Sequence, residues 1–168
     1  SWDLNDIDQW RMGVLAPEEV SVAATNLPSK CGTEVIWSDC DRLSDNGTLS
    51  QTAFNELIEH TRRELALIFH KYLSGLDGAP RLSIELNGLE IEPWDPFYRS
   101  HLATQQLERE VLPVEGAPVL IQPFILPHFS KLKLAEHERL GGEEGFLRNQ
   151  GFYVYRNHRL IIHGTWFR

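Results

Sequence analysis

From residue 54 onward, apolar residues recur at spacings of three and four. Phe54, Leu57, Ile58, Leu65, Ile68, Phe69 and Tyr72 form the line, with Thr61 in it. That period, held for about five turns, predicts one long helix with an apolar stripe. Thr48 and Gln51 fit a capping box at its start, and Glu59 and Arg63 sit four apart on its polar side. Gly75 and Gly78-Ala79-Pro80 supply its stop. Beyond residue 80 the period drops to two. Residues 81–86 and 89–92 alternate around Asn87-Gly88, the pair best suited to a two-residue hairpin turn. Residues 107–114 and 117–126, divided by Glu115-Gly116, read as two more strands. Residues 151–155 and 159–163 read as a last hairpin around Arg156-Asn157-His158. The stretch 127–150 is polar and glycine-containing, a loop with a short helix at 131–140. Upstream, residues 32–37 alternate as a strand, while Trp2, Leu4, Ile7 and Trp10 fit one face of a short helix. The expected layout is α+β: a mostly antiparallel sheet with a long helix packed on it.

Composition leaves that layout in place. With 42% hydrophobic and 24% charged residues, the 168-residue chain suits one sizeable core. A net charge of -8 argues against binding nucleic acid through bulk charge alone. A local basic surface remains, because Lys131, Lys133, Arg139, Arg148, Arg156, Arg159 and Arg168 fall late, interleaved with Phe152, Tyr153, Tyr155 and Trp166. Arg156 and Arg159 are the candidate nucleic-acid contacts there. Two cysteines, Cys31 and Cys40, read as reduced thiols rather than a disulfide framework. No run is apolar enough for a membrane span, and no signal segment opens the chain, so the expected location is the cytoplasm. The chain starts Ser1-Trp2-Asp3 and stops at Arg168, just after the apolar stretch 160–167. Both ends read as cuts within a larger protein.

Candidate catalytic chemistry is thin. His128, Glu136, His137 and Glu138 cluster without a zinc-ligand spacing, so solvated side chains are expected and no metal site. His60 and His70 fall on the long helix and are expected at its surface or boundary. Cys31 and Ser130 lack the companions of an activated nucleophile, and no catalytic residue is assigned.

Two segments carry a resemblance. One is Gly32-Thr33-Glu34-Val35-Ile36-Trp37, followed by Asp41-Arg42-Leu43 and the long helix. The other is the run from Asn149 to Ile161, with Gly151-Phe152-Tyr153-Val154-Tyr155-Arg156-Asn157 at its centre. Together they resemble the GHKL ATPases, the group of DNA gyrase B subunits, MutL repair proteins and heat-shock chaperones. The nearest likeness is to bacterial GHKL-type proteins, which Pro127-His128-Phe129-Ser130-Lys131-Leu132 and Gly141-Gly142 also fit. The resemblance implies that residues 1–47 end a nucleotide-binding domain, with its strand at 32–38. It implies that 48–168 form a transducer domain of the ribosomal-protein-S-five-like fold, truncated at its end. It also implies ATP and magnesium in the parent protein, held by an upstream ATPase domain that is this chain's principal partner. The family's Glu/Asn helix, Asp-x-Gly-x-Gly site and lid glycines are not found in residues 1–30. By the same resemblance Gly32 and Thr33 lie near the nucleotide, and the cation that reaches the γ-phosphate belongs on a strand beyond the last hairpin, before which this sequence stops; Lys131 is the one lysine here in a suitable loop. The expected function is a non-catalytic relay, monomeric alone and dimeric in the parent, with nucleic-acid binding through the last hairpin as the alternative.

Overall fold

The computed structural model describes residues 32–37, 49–141 and 150–166. The chain divides into two units, Ser1–Ser50 and Gln51–Arg168. In the first unit, residues 32–37 carry no regular secondary structure, and all six are exposed. The strand expected at 32–38 is therefore not formed over 32–37. With Val35 72% and Trp37 79% exposed, the alternation buries neither face, and burial is what holds a strand of this kind. The helix expected at residues 2–10, the thiols, Asp41-Arg42-Leu43, Thr48 and the segment 142–149 lie outside the described residues.

The second unit opens with α1 (Gln51–Ile68), the helix read from the period. It breaks at Phe69, where φ -104° and ψ 13° leave helical space, and resumes as α2 (His70–Ser74). At this break the Ala66 carbonyl accepts a bond from Trp94 N at 3.1 Å. Gly75, at φ 66°, ends α2 in the left-handed conformation that glycine adopts without a Cβ penalty. One 3-10 turn (Leu76–Gly78) follows.

Then come short antiparallel pairs. β1 (Glu85–Leu86) pairs with β2 (Leu89–Glu90) around Asn87-Gly88, with φ 54° and 75°. Positive φ at both positions is the signature of the turn whose twist matches paired strands. β3 (Gln105–Gln106) pairs with β6 (Phe124–Ile125), and between them β4 (Glu110–Val114) pairs with β5 (Ala117–Ile121). These four strands make one long arm with a gap near Pro123, which has no N–H for the ladder. The Gln122 amide fills the gap by donating to the Leu107 carbonyl at 2.6 Å. A second 3-10 turn (Phe129–Lys131) leads to α3 (Leu134–Gly141). The last hairpin joins β7 (Phe152–Arg156) to β8 (Arg159–Thr165) through Asn157-His158, at φ 47° and 65°.

Helices beside antiparallel strand pairs give the mixed layout expected. The strands do not merge into one sheet, however. Among the described residues they form four two-stranded sheets. Pro113 stands directly opposite Pro118 in the arm, so neither offers an N–H to a third strand.

The core also sits one position round the helix from the predicted stripe. Its buried line is Ala66, His70 and Leu73, at i, i+4 and i+7, with Leu67 beside it. Phe54 and Leu57 remain 40% and 38% exposed. Ile91 closes over Ala66 and Leu73, with Ile84, Leu86 and Trp94 packed at the edge. Burying Ile91 this fully contributes roughly 2–3 kcal/mol. Arg62 fixes the first hairpin to α1 by donating to the carbonyls of Leu86 (3.3 Å) and Leu89 (3.5 Å), and its Nε lies 3.5 Å from Glu59. Among the described residues, no helix is long and apolar enough to cross a membrane.

Candidate functional site

The best-built polar site lies where α2 meets the last hairpin. His70, expected at the surface or boundary, is fully buried. Its Nε2 lies 2.8 Å from the Tyr155 hydroxyl, and the rings meet edge to face at 5.6 Å. Its Nδ1 has no hydrogen-bond partner. Two residues on, Tyr72 donates its hydroxyl to the Asn157 carbonyl and meets His158 edge-on. Both contacts join residues 85 positions apart in the chain. Strand alternation explains the hairpin's share: Tyr153 and Tyr155 point inward with Leu160, while Phe152, Val154 and Arg156 face out.

Ionic groups surround this pair. Lys71 Nζ sits 4.1 Å over the Tyr155 ring and 2.7 Å from Asp77. Arg99 bridges Asp77, at 3.3 Å, and Asp95, at 2.9 Å. Asp95 also accepts backbone N–H bonds from Phe97 and Arg99, which ties the 95–99 loop into a tight turn. One guanidinium nitrogen of Arg99 (Nη2) is buried with no partner. Arg99 lies 5.9 Å from the Phe124 ring, which stacks on Phe97 at 4.4 Å. Phe97 in turn meets Tyr153 at 5.1 Å. One polar and one aromatic cluster thus connect α2, the 95–99 loop, the base of the arm and β7.

The environment sets the charge states. Burial holds the His70 ring neutral by pulling its pKa down to about 4, and Asp95 opposes that pull while Arg99 and Lys71 add to it. Burial pushes the Tyr155 hydroxyl well above its usual range, so it keeps its proton. Asp77 loses some solvation, yet its bond to Lys71 holds its carboxyl below the usual value. A neutral imidazole and a neutral phenol, shielded from solvent, form a fixed contact rather than a proton-transfer pair open to substrate.

The residues singled out in the sequence lie elsewhere. Gly32 and Thr33 are exposed in the first unit. Lys131 is exposed at the end of its 3-10 turn, its N–H bonded to the His128 carbonyl at 2.8 Å. The His128 ring caps that turn through the Ser130 N–H and hydroxyl. Arg156 and Arg159 face each other across the last turn, both exposed. The Arg159 guanidinium lies 5.9 Å from the Phe69 ring, so this hairpin end also rests on the helix break. Glu136 binds the Tyr98 hydroxyl at 2.6 Å and the Lys133 N–H at 2.8 Å, the return half of a helix-capping box. Among the described residues, no three His, Cys, Asp or Glu side chains stand together as a metal site.

Sequence reasoning missed His70, because helical spacing sets it on the line of Ala66 and Leu73, which a count of apolar residues does not select. His70 is four residues past Ala66 and three before Leu73, and both are buried. Comparison with protein-family models, curated proteins and solved structures finds no match to this chain.

Proposed function

We propose that this chain is a non-catalytic coupling module that works with a GHKL-type ATPase domain, relaying ATP binding and hydrolysis to a partner. The observation that carries the reading is the joint between α2 and the last hairpin. The hairpin holds the most specific part of the family resemblance, and Tyr155, Asn157 and Arg159 tie it to the long helix at its break. A relay needs such an element, because a displacement at one end must arrive at the other undamped. The transducer fold, the ATP and magnesium of the ATPase domain, and a place for Gly32, Thr33 and Lys131 near the nucleotide belong to this proposal. So does the absence of catalysis by the chain alone. The test is hydrogen exchange on the whole gene product with and without a non-hydrolysable ATP analogue and magnesium. Slower exchange across 152–165 and 66–74 together supports the relay. Unchanged exchange in both, with nucleotide shown to be bound, refutes it.

A second reading rests on the Arg156–Arg159 pair. Two like charges directly opposite in a hairpin repel each other, and an anion between them removes the cost. Nucleic-acid phosphate is the candidate anion, with exposed Phe152 and Trp166, 5.6 Å apart, as stacking surfaces. Binding to single-stranded DNA that weakens with salt, and that Arg156→Ala with Arg159→Ala abolishes, supports it. Binding without a salt slope refutes it.

A further inference from the structure

Between the 93–100 loop and α3 lies a cleft of about 250 Å³. Trp94, Tyr98 and Leu140 form its apolar wall, and Asp95, Ser100 and Glu136 are its polar groups. Among the described residues, no lysine, arginine or histidine lines it. The two carboxylates differ in what they have left to offer. Asp95 is matched by the Arg99 guanidinium and two backbone N–H groups. Glu136 is bonded to neutral donors only, the Tyr98 hydroxyl and the Lys133 N–H. Such donors orient a carboxylate without cancelling its charge, and each oxygen keeps a second lone pair. The Tyr98 bond also holds the Glu136 carboxyl below its usual pKa, so it stays anionic at neutral pH.

The aromatic wall is held firmly. Tyr98 adopts φ 47°, a conformation that bulky side chains avoid. The loop over-determines it: Tyr98 N donates to the Asp95 carbonyl at 3.1 Å, and its own carbonyl accepts from His101 N at 3.0 Å and Thr104 Oγ1 at 2.7 Å. The result is a small cleft with two aromatic residues in its wall and one oriented carboxylate, which also feels the charges of Lys133 and His101 from outside the described lining. Aromatic faces and an anion together select organic cations. The volume falls below the roughly 300–1,000 Å³ of drug-sized sites, which limits the occupant to a head group.

We propose that this cleft binds the cationic head of an amine or guanidine on a short apolar stem, seated against Trp94 and Tyr98 with Glu136 as its counter-ion. The proposal is independent of the coupling role. The head could belong to a free small molecule or to a lysine or arginine side chain of a peptide, and the experiment separates the two.

The test is a titration of the ¹⁵N-labelled 168-residue chain with n-butylammonium and n-butylguanidinium chloride at constant ionic strength. n-Butanol and butyrate serve as neutral and anionic counterparts. The cations are expected to give saturable shifts at the Trp94 indole and at the Ser100 and Glu136 amides, with midpoints on the order of 1 mM. Glu136→Gln should weaken binding about tenfold. Tyr98→Phe, which keeps the ring and frees the carboxylate, should weaken it less, and it serves as the second variant if Glu136→Gln disturbs α3. A blocked Gly-Arg-Gly peptide that binds at least as tightly as n-butylguanidinium assigns the head to a peptide side chain; its exclusion assigns a free small molecule. Equal shifts from n-butanol, or no saturable shift from either cation, overturn the proposal.

Discussion

Tyr155 places its hydroxyl 2.8 Å from His70 Nε2, and the His70 ring has 0% exposure. One contact therefore joins α2, just past the break in the long helix, to a hairpin 85 residues later. Tyr155→Phe removes the hydroxyl and leaves Nε2 buried without a partner. The expected loss is about 1–3 kcal/mol, the cost of an unsatisfied buried polar group. Urea denaturation checks it, with the midpoint falling and the slope unchanged.

Acid should act on the same residue. The folded-state pKa of His70 is about 4, against 6.5 for the free side chain. A depressed pKa means the unfolded chain takes up the proton first, so the stability is fully present above pH 6.5. It is lost as pH falls from 6.5 towards 4, in total roughly 3 kcal/mol. Below that window Asp77, also held low, adds loss of the same sign. Groups facing His70 are Asp95, Arg99, Lys71 and Asp77, and the positive and negative charges partly offset. A stability profile from pH 8 to 4 should slope downward in the wild type and flatten between pH 6.5 and 4 in His70→Phe.

Gly151 sets the start of the last hairpin. It holds φ 134°, and a Cβ there would lie 2.5 Å from the Thr165 carbonyl oxygen, with Thr165 C and N at 2.7 and 2.8 Å. All three are backbone atoms, so no rotamer change relieves the clash. Gly151→Ala should cost on the order of 4 kcal/mol. Amide exchange in β7 and β8 should accelerate well before that in α1.

Arg62→Ala tests the attachment of the first hairpin. It removes the guanidinium bonds to Leu86 and Leu89 but leaves the Ile91 core contact intact. These bonds are partly exposed, and the expected loss is about 1 kcal/mol. It should appear as faster exchange at Leu86 and Leu89 rather than as global unfolding.

Local rules made much of this fold legible. Asn87-Gly88 and Glu115-Gly116 mark their turns, and Gly75 marks the end of the helix, because each needs positive φ. The α1 period is plain over residues 54–72. Which side of the helix would be buried was not legible. Counting only apolar residues put the stripe through Leu65, Ile68 and Tyr72, while packing chose Ala66, His70 and Leu73. A small residue and a polar one lie on the buried line because their partners, Trp94 and Tyr155, come from distant segments. Separation of the strands into pairs was likewise hidden, since alternation reports a strand's faces and not its neighbours. The cleft at Glu136 escaped notice because it depends on the left-handed backbone of Tyr98, which no local pattern signals.

The coupling reading assigns this chain no chemistry of its own. The direct measurement is ATP turnover by the purified 168 residues with and without magnesium. The account predicts release of phosphate no faster than the buffer blank, in the wild type and in Lys131→Ala alike. Magnesium-dependent turnover by the wild-type chain would contradict it.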